Sequence, residues 1–360
     1  MNKVTKCSMV FRACSAICAA AFGLHVHFAY GAELIKGGEI HVEPMQVTGV
    51  AFDRSHGLLL VAGTDSTRAG PASIVRIYDR ALKRLLVERR LDRSEGTSVA
   101  ISDDGKYVLV ITVWGEPAAS TVRVYDDIIR SGEAAASTVL PPDEHPLEWC
   151  GTEKSDPIVA KFEVRTGTIG IDDVRQRRRL FAIDPAAKAT LFSAFAVAPR
   201  STFVAWGHHH LTRDDFGFTI WSRKSQESRE VRAPGRGNVT ALAFSPDETQ
   251  IAIGTSAGET AIWNIQGGNI QFEGEIKYSS EVQSARVGKV AFSPNGKRIA
   301  AQVGRALVIS DSYLKTSPDR ADVLRINTND FAWLSDTGLI IAPIDASGDS
   351  HTVQTWRVSE

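Results

Sequence analysis

A run of three histidines followed by charged residues is the most conspicuous candidate for chemistry in this sequence. The group consists of His208, His209, His210, Arg213, Asp214 and Asp215. Imidazole and carboxylate groups in one place can bind a divalent metal or transfer protons. Successive residues of a strand point to opposite faces, however, so one such run rarely supplies more than two ligands to one ion. A solvated polar loop, a ligand-binding loop and a metal site all remain open, and we assign no catalytic or metal-ligating role to these residues.

The composition is that of a soluble protein with enough apolar material for a core. The chain has 360 residues, of which 43% are hydrophobic and 23% are charged. Its 41 Lys and Arg residues against 42 Asp and Glu residues leave a formal net charge of -1. Such a chain has no net positive field that attracts nucleic acid or anionic lipid, so we predict no nucleic-acid partner.

The N-terminus has the order of a bacterial secretory signal peptide. Basic residues surround the start of an apolar, alanine-rich run over residues 13–30, and small residues follow it. Cleavage after Gly31 fits the small-residue pattern better than cleavage after Ala32. We therefore predict a signal peptide over residues 1–31 and a single mature domain over residues 32–360, located in the periplasm or secreted.

An uncleaved anchor helix is the alternative at the N-terminus. The run is interrupted by His25 and His27 and is short for about 30 Å of hydrocarbon, so we predict no membrane span in the mature chain. Three of the four cysteines fall within the predicted signal, which leaves Cys150 alone. An intramolecular disulfide is then impossible.

Beyond the signal, short β-branched and aromatic runs alternate with Gly, Pro, Asp and Asn turns, which is typical of an all-β protein. One marker recurs, in which an apolar residue precedes an aromatic residue or its stand-in. The central residues of this marker are Tyr78, Tyr125, Trp221, Trp263, Ser310 and Trp356, at intervals of 47, 96, 42, 47 and 46 residues. Because the long interval is twice the usual one, we predict a degenerate copy over residues 169–173 and seven repeats in all.

A second marker precedes the first by about 20 residues and consists of a strand that runs into a tight turn. It is clearest in VTALAFSPD from Val239 and in VGKVAFSPNG from Val287. In these turns Pro presets the first central position and Asn-Gly suits the later ones. The unit is therefore a strand, a turn, a second strand and then the aromatic marker.

With these two markers the sequence resembles the WD-repeat β-propeller family, most strongly over residues 239–265 and weakly in the third unit. The resemblance implies a seven-bladed propeller, in which each blade is a four-stranded antiparallel sheet with strands a to d from the centre outward. The family's Gly-His pair and the acidic turn residue before the third strand are missing. The hydrogen-bonded tetrad that they form with Trp is expected to be broken here.

The last unit contains only three predicted strands before the chain ends, over residues 329–335, 339–345 and 353–358. A spare strand over residues 39–45 precedes the first blade. We predict that this strand pairs with residues 353–358 and closes the ring, because closure removes an exposed sheet edge. A loose leader segment is the alternative.

In this family the b-to-c and d-to-a connections lie at the narrow end of the ring, where partners usually bind. The longest predicted b-to-c loops cover residues 64–73, 114–120, 207–217 and 345–352, and long loops on a rigid scaffold commonly carry function. The predicted partner-binding residues are Arg68, Trp114, His208, His209, His210, Arg213, Asp214, Asp215, Arg236 and His351. The basic run Arg175, Arg177, Arg178 and Arg179 falls in a c-to-d turn away from this end and is interpreted as a solvated turn.

These features predict a monomeric, non-catalytic scaffold without a cofactor, which binds another protein or a peptide through the narrow-end loops. The sequence lacks a His-Glu-x-x-His motif and a phosphate-binding Gly-rich loop before a helix. A lactonase-like hydrolase or oxidoreductase with a site at the channel mouth is the alternative. Propeller enzymes can distribute their site over several blades, and fold alone does not decide function.

Overall fold

The structure is a computed structural model. It describes residues 25–26, 34–54, 56–65, 67, 72–93, 96–102, 106–114, 119–126, 134–153, 156–184, 190–210, 216–233, 237–266, 269–276, 285–312, 322–345 and 348–358. Every regular element within these ranges is a strand, so the all-β prediction is confirmed. Across the same ranges, no helix has the length and apolar character needed to cross a membrane. The predicted signal peptide lies outside the described residues except for His25 and Val26.

Five of the sheets are antiparallel and four-stranded, as predicted for the repeat units. The first contains β3 (Gln46–Asp53), β4 (Leu58–Asp65), β5 (Ala72–Asp79) and β6 (Leu85–Arg93), and the second contains β7 (Gly96–Ile101), β8 (Val108–Trp114), β9 (Ala119–Tyr125) and β10 (Ala136–Leu140). The third contains β11 (Glu144–Glu153), β12 (Asp156–Glu163), β13 (Thr168–Asp173) and β14 (Arg178–Ile183). The fourth contains β15 (Thr190–Val197), β16 (Phe203–His210), β17 (Phe216–Ser222) and β18 (Glu227–Arg232). The fifth contains β19 (Val239–Phe244), β20 (Gln250–Thr255), β21 (Thr260–Gln266) and β22 (Asn269–Ile276).

An eight-stranded sheet holds the two remaining units and the N-terminal strands. Its members are β1 (His25–Val26), β2 (Leu34–His41), β23 (Val287–Phe292), β24 (Arg298–Val303), β25 (Ala306–Asp311), β26 (Asp322–Trp333), β27 (Gly338–Pro343) and β28 (Thr352–Val358). The sixth unit is formed by β23, β24, β25 and the start of β26. The seventh is formed by the rest of β26 with β27, β28 and β2.

Strand β26 corrects the predicted start of the last unit at residue 329. One continuous strand pairs with β25 through Asp322–Asn327 and with β27 through Thr328–Trp333. The sequence of β26 contains no glycine or proline that would break the strand. The outer strand of the sixth unit therefore runs directly into the inner strand of the seventh.

Strand β2 corrects the bounds of the predicted N-terminal strand but bears out its pairing with the last strand of the chain. It begins at Leu34 rather than at residue 39, and it pairs antiparallel with β28, for example Lys36 with Trp356 and Ile40 with Val353. The strand ends at His41, because the chain turns at Glu43 and Pro44 and proline has no N–H for a ladder. Val42 and Met45 are buried beyond this strand end.

The core lies between neighbouring sheets, and strand β20 shows how it forms. All six of its residues are buried. Ile251 and Ile253 pack against the fourth sheet, whereas Ala252 packs against the sixth unit. Because β20 is covered on both faces, its central residues Ile251, Ala252 and Ile253 are apolar without alternation.

The predicted turns are formed by local hydrogen bonds. The Ser245 hydroxyl accepts the N–H of Gln250 at 2.9 Å and donates to Asp247 at 2.6 Å. In the next unit, Gly296 adopts a φ of 72°, a conformation that favours glycine. The degenerate third unit is also confirmed, since β13 is the third strand of a complete sheet.

Candidate partner-binding surface

The narrow end is defined here by the connections between the second and third strands of each unit. In the units with long predicted loops, these connections cover residues 66–71, 115–118, 211–215 and 344–351. The strand ends that flank these four connections lie at the same end of each unit because each unit has the same antiparallel strand order. The inner strand β3 also contacts both β7 and β26, so the first, second and seventh units are neighbours.

Most of the predicted binding residues cannot be placed by their side chains. Arg68, Arg213, Asp214, Asp215 and Arg236 lie outside the described residues. For Trp114 at the end of β8, and for His209 and His210 in β16, the structure describes the backbone and not the side chain. Their assignment to a binding surface stays a prediction.

The placement of the three histidines in a loop is wrong, because β16 continues through His210. Residues 204–208 are all buried, so the strand is covered on both faces as far as His208. His208 is only 4% exposed; its Nε2 lies 3.1 Å from Glu230 and its Nδ1 lies 3.2 Å from the Thr219 hydroxyl. We interpret its contacts with Thr219 on β17 and Glu230 on β18 as cross-strand links within the sheet.

Gly217 makes room for the His208 ring. It lies directly opposite His208 on β17. A Cβ at this position would lie 3.0 Å from His208 Nε2 and 2.4 Å from the Val231 carbonyl oxygen. The glycine that was interpreted as the end of a loop is therefore a packing residue within the sheet.

His351 lies at the narrow end, as predicted, and holds the N-terminal segment in place. Its Nδ1 lies 3.0 Å from the carbonyl oxygen of Met45, and its own carbonyl oxygen accepts the N–H of Val42 at 2.9 Å. Nearby, the side chain of Gln46 donates to Asp349 at 2.9 Å. The loop over residues 344–351 is thus fastened to the segment that leads into the first unit.

Asp65 is a narrow-end residue that the sequence analysis did not select. Its side chain is 1% exposed, and it accepts hydrogen bonds from the Thr67 hydroxyl at 2.6 Å and the Thr67 N–H at 3.0 Å. Arg90 lies 3.2 Å from its other oxygen. The spacing Asp-x-Thr at a strand end is the available sequence signal, because aspartate commonly bonds to the backbone two residues ahead. Asp65 therefore positions the start of the connection that contains Arg68.

The Asp65 contacts predict an acid-dependent contribution to stability. Hydrogen bonds from the Thr67 hydroxyl and backbone, together with Arg90, hold the pKa of Asp65 below its usual value. A carboxylate whose pKa is lower in the folded state stabilises the fold above its unfolded pKa of about 3.9, and this contribution disappears as the pH falls through the folded value. Asp65→Asn is therefore expected to lower the melting temperature at neutral pH and to converge with the wild type in acid. A constant difference at every pH would contradict this role.

Lys289 and Asp330 form a second polar link that the sequence analysis missed. The Lys289 ammonium donates to Asp330 at 2.6 Å and to the carbonyl oxygen of Phe331 at 2.8 Å. The other oxygen of Asp330 accepts the N–H of Val50 at 2.8 Å. One carboxylate therefore joins the inner strands of the sixth, seventh and first units.

The described residues contain no group of three or more His, Cys, Asp or Glu side chains that could hold a metal ion. The indole Nε1 of Trp263 is buried without a hydrogen-bond partner among these residues. This observation bears out the expectation that the tetrad is broken in the fifth unit. The unit is held instead by apolar contacts, including an edge contact of Trp263 with Phe218 at 5.6 Å between ring centroids.

Comparison with solved structures establishes the fold. The chain is similar to the β-propeller domain of Cps50 (Swd1) from Myceliophteria thermophila, with a TM-score of 0.64 over 89% of this chain and 100% of that chain. The two sequences are 14% identical, so the likeness shows a β-propeller and does not transfer a partner or an activity. No protein-family model and no curated protein matches the chain.

Proposed function

We propose that this protein is a non-catalytic scaffold of the periplasm or the secreted space, which binds another protein or a peptide through the narrow end of a seven-bladed ring. The N-terminal signal pattern supports the location. The propeller fold is compatible with a protein-interaction role. Contacts between the inner strands and hydrogen bonds that hold two connections at one end support the rest of the proposal.

Contacts between inner strands support a ring of seven blades. Successive inner strands touch in the order β3, β7, β11, β15, β19, β23 and β26, and β26 touches β3 again. An equivalent hydrogen bond recurs at three of these junctions, from an inner-strand side chain to a carbonyl oxygen of the next inner strand. The pairs are Thr48 with Thr97, Thr240 with Val287 at 2.6 Å, and Asn329 with Val47 at 2.7 Å. The third pair joins the last unit to the first as the others join consecutive units, which favours a closed ring.

The observation that carries the binding proposal is that hydrogen-bonded polar groups fix the described parts of two narrow-end connections, residues 65–67 and 344–351. Asp65 anchors Thr67, His351 contacts Met45, and Gln46 contacts Asp349. These groups hold chain segments in place, and the described part of this end gathers no acid, base and nucleophile together. Connections that are ordered before binding lose less conformational entropy when a partner docks. Such an end is suited to recognition.

A partner-capture experiment tests this surface. The mature protein is immobilised, and a periplasmic extract is passed over the wild type and over a variant in which four narrow-end residues are replaced by alanine. The four residues are Arg68, Trp114, His209 and Arg213. We expect the variant to lose a specific partner while its melting temperature stays close to that of the wild type, because truncating a few central contact residues removes most of the binding energy.

A matched variant at the opposite end serves as the control. Lys83, Lys224 and Lys297 are exposed residues in the turns at that end, and their joint replacement by alanine should leave capture unchanged. Capture that survives the narrow-end changes but fails with these three changes would place the binding surface at the opposite end and contradict the proposal.

A further inference from the structure

A cleft lies between the second and third sheets, away from the narrow-end connections. Its volume is about 480 Å³, within the range of about 300–1,000 Å³ that is usual for ligand sites. Residues 137–140, 159–161 and 172–174 line it, together with Val122 and Arg177. They belong to β9, β10, β12 and β13 and to the turn that follows β13.

The cleft exists because the third sheet changes from apolar to charged along one face. Val159 packs against the second sheet in an apolar cluster that also contains Leu140. Lys161 lies two positions further along β12, on the same face, and binds Glu144 at 2.6 Å and Asp172 at 3.0 Å. Burial alone would lower the pKa of Lys161, but the hydrogen bonds to these two carboxylates outweigh it and raise the pKa. A charged, internally paired surface does not pack against the apolar side chains opposite, so the two sheets separate here.

The cleft follows a free edge of strand β10. This strand is the outermost of its sheet and, among the described residues, pairs only with β9. Leu140 is buried against the third sheet, whereas Val139 points away and is 60% exposed. Val139 and Leu140 point to opposite faces of β10, and both border the cleft. The cleft therefore runs along the edge of this strand and not over one face alone. An unpaired edge presents N–H and C=O groups to which another strand can add.

One positive charge at the rim remains without a carboxylate partner. The lining residues Lys161 and Asp172 neutralise each other. Asp173 is buried and accepts the N–H of Gln176 at 2.8 Å. Arg177 is exposed on the turn, and no carboxylate within the described residues forms an ion pair with it. Asp173 also lies 4.0 Å from the Arg178 guanidinium. Arg177 is therefore the one charged lining residue without an ion pair among the described residues, and it favours an acidic group on a ligand.

We propose that this cleft binds an extended acidic peptide segment of a partner protein. The segment adds to the free edge of β10 as a further strand, places an apolar side chain against Val139, and directs a carboxylate to Arg177. The site lies on the side of the sheets and does not depend on binding at the narrow end.

Selection from a phage-displayed library of short random peptides tests the proposal on the mature protein. The wild type is expected to enrich peptides that combine β-branched or apolar residues with an acidic residue. Arg177→Glu is expected to enrich peptides with Lys or Arg at the acidic position instead. A synthetic copy of a peptide selected by the wild type should bind Arg177→Glu and Val139→Lys about tenfold more weakly or worse, because a charge-assisted bond or an apolar contact is lost.

Two controls make the result specific. Arg175→Glu reverses the charge of an exposed arginine in the same turn, which does not line the cleft and pairs with Asp126, and it should bind the peptide like the wild type. Arg213→Ala, at the narrow end, should also bind it like the wild type, so failure of the narrow-end proposal would leave this one standing. Melting curves check that each variant is folded. Val139, Arg175 and Arg177 are all exposed.

Three outcomes would overturn the proposal. The first is no enrichment of peptides over an unrelated protein. The second is equal weakening by Arg177→Glu and Arg175→Glu, which would indicate a general charge effect. The third is undiminished binding of a peptide whose backbone amides are N-methylated, since such a peptide cannot extend the sheet.

Discussion

Replacing the N-terminal strand β2, residues 34–41, by a Gly-Ser segment of equal length is expected to lower the free energy of unfolding by several kcal/mol. The strand pairs with β28 over most of its length, and the Thr355 hydroxyl accepts the N–H of Gly38 at 2.7 Å. Each hydrogen bond contributes about 1 kcal/mol, and Ile40 adds apolar contact with the core. Urea denaturation of the mature protein gives the midpoint and slope that measure the change.

The length-matched replacement separates loss of the strand from loss of chain length. A second variant, Glu39→Gln, removes a solvent-accessible ion pair with Lys36 but leaves the ladder of the same strand intact, so its midpoint should stay close to that of the wild type. An unchanged midpoint in the Gly-Ser variant would show that β2 does not stabilise the last unit. The proposed ring closure would then be withdrawn and the blade number reopened.

Trp356→Ala is expected to lower the free energy of unfolding by about 3–5 kcal/mol, the range found for large aromatic residues removed from a core. Trp356 is 5% exposed in a cluster with Phe331, Trp333 and Leu339. Its indole N–H also donates to Gln354 at 3.0 Å. Chemical denaturation measures the loss, and Arg357→Ala provides the control because Arg357 is the exposed neighbour on the same strand.

The Trp356 and β2 changes are expected to be less than additive. Both weaken the seventh unit, since Lys36 of β2 lies opposite Trp356, and changes at contacting sites couple. If the double variant lost the full sum of the two effects, the strand and the tryptophan would be stabilising the fold independently. There would then be no energetic evidence that β2 and β28 stabilise the same blade.

The sequence by itself determined the strands, the repeat and most of the turns. The spacing of Tyr78, Tyr125 and Trp221 predicted a hidden unit, and β13 lies where that unit was expected. The pattern around Ser293 predicted a tight turn, which the structure forms with Gly296. These features depend on side-chain periodicity and local backbone preference, which a short stretch of sequence contains in full.

Only the tertiary structure decided which polar side chains meet. Asp330 reaches Lys289 and Val50, His208 is buried beside Glu230, and the charged face of Lys161 opens a cleft beside β10. The residues in each of these contacts are far apart in sequence or belong to different strands. Their meeting depends on how the sheets pack and on which polar group finds a partner during folding, and no local pattern specifies that outcome.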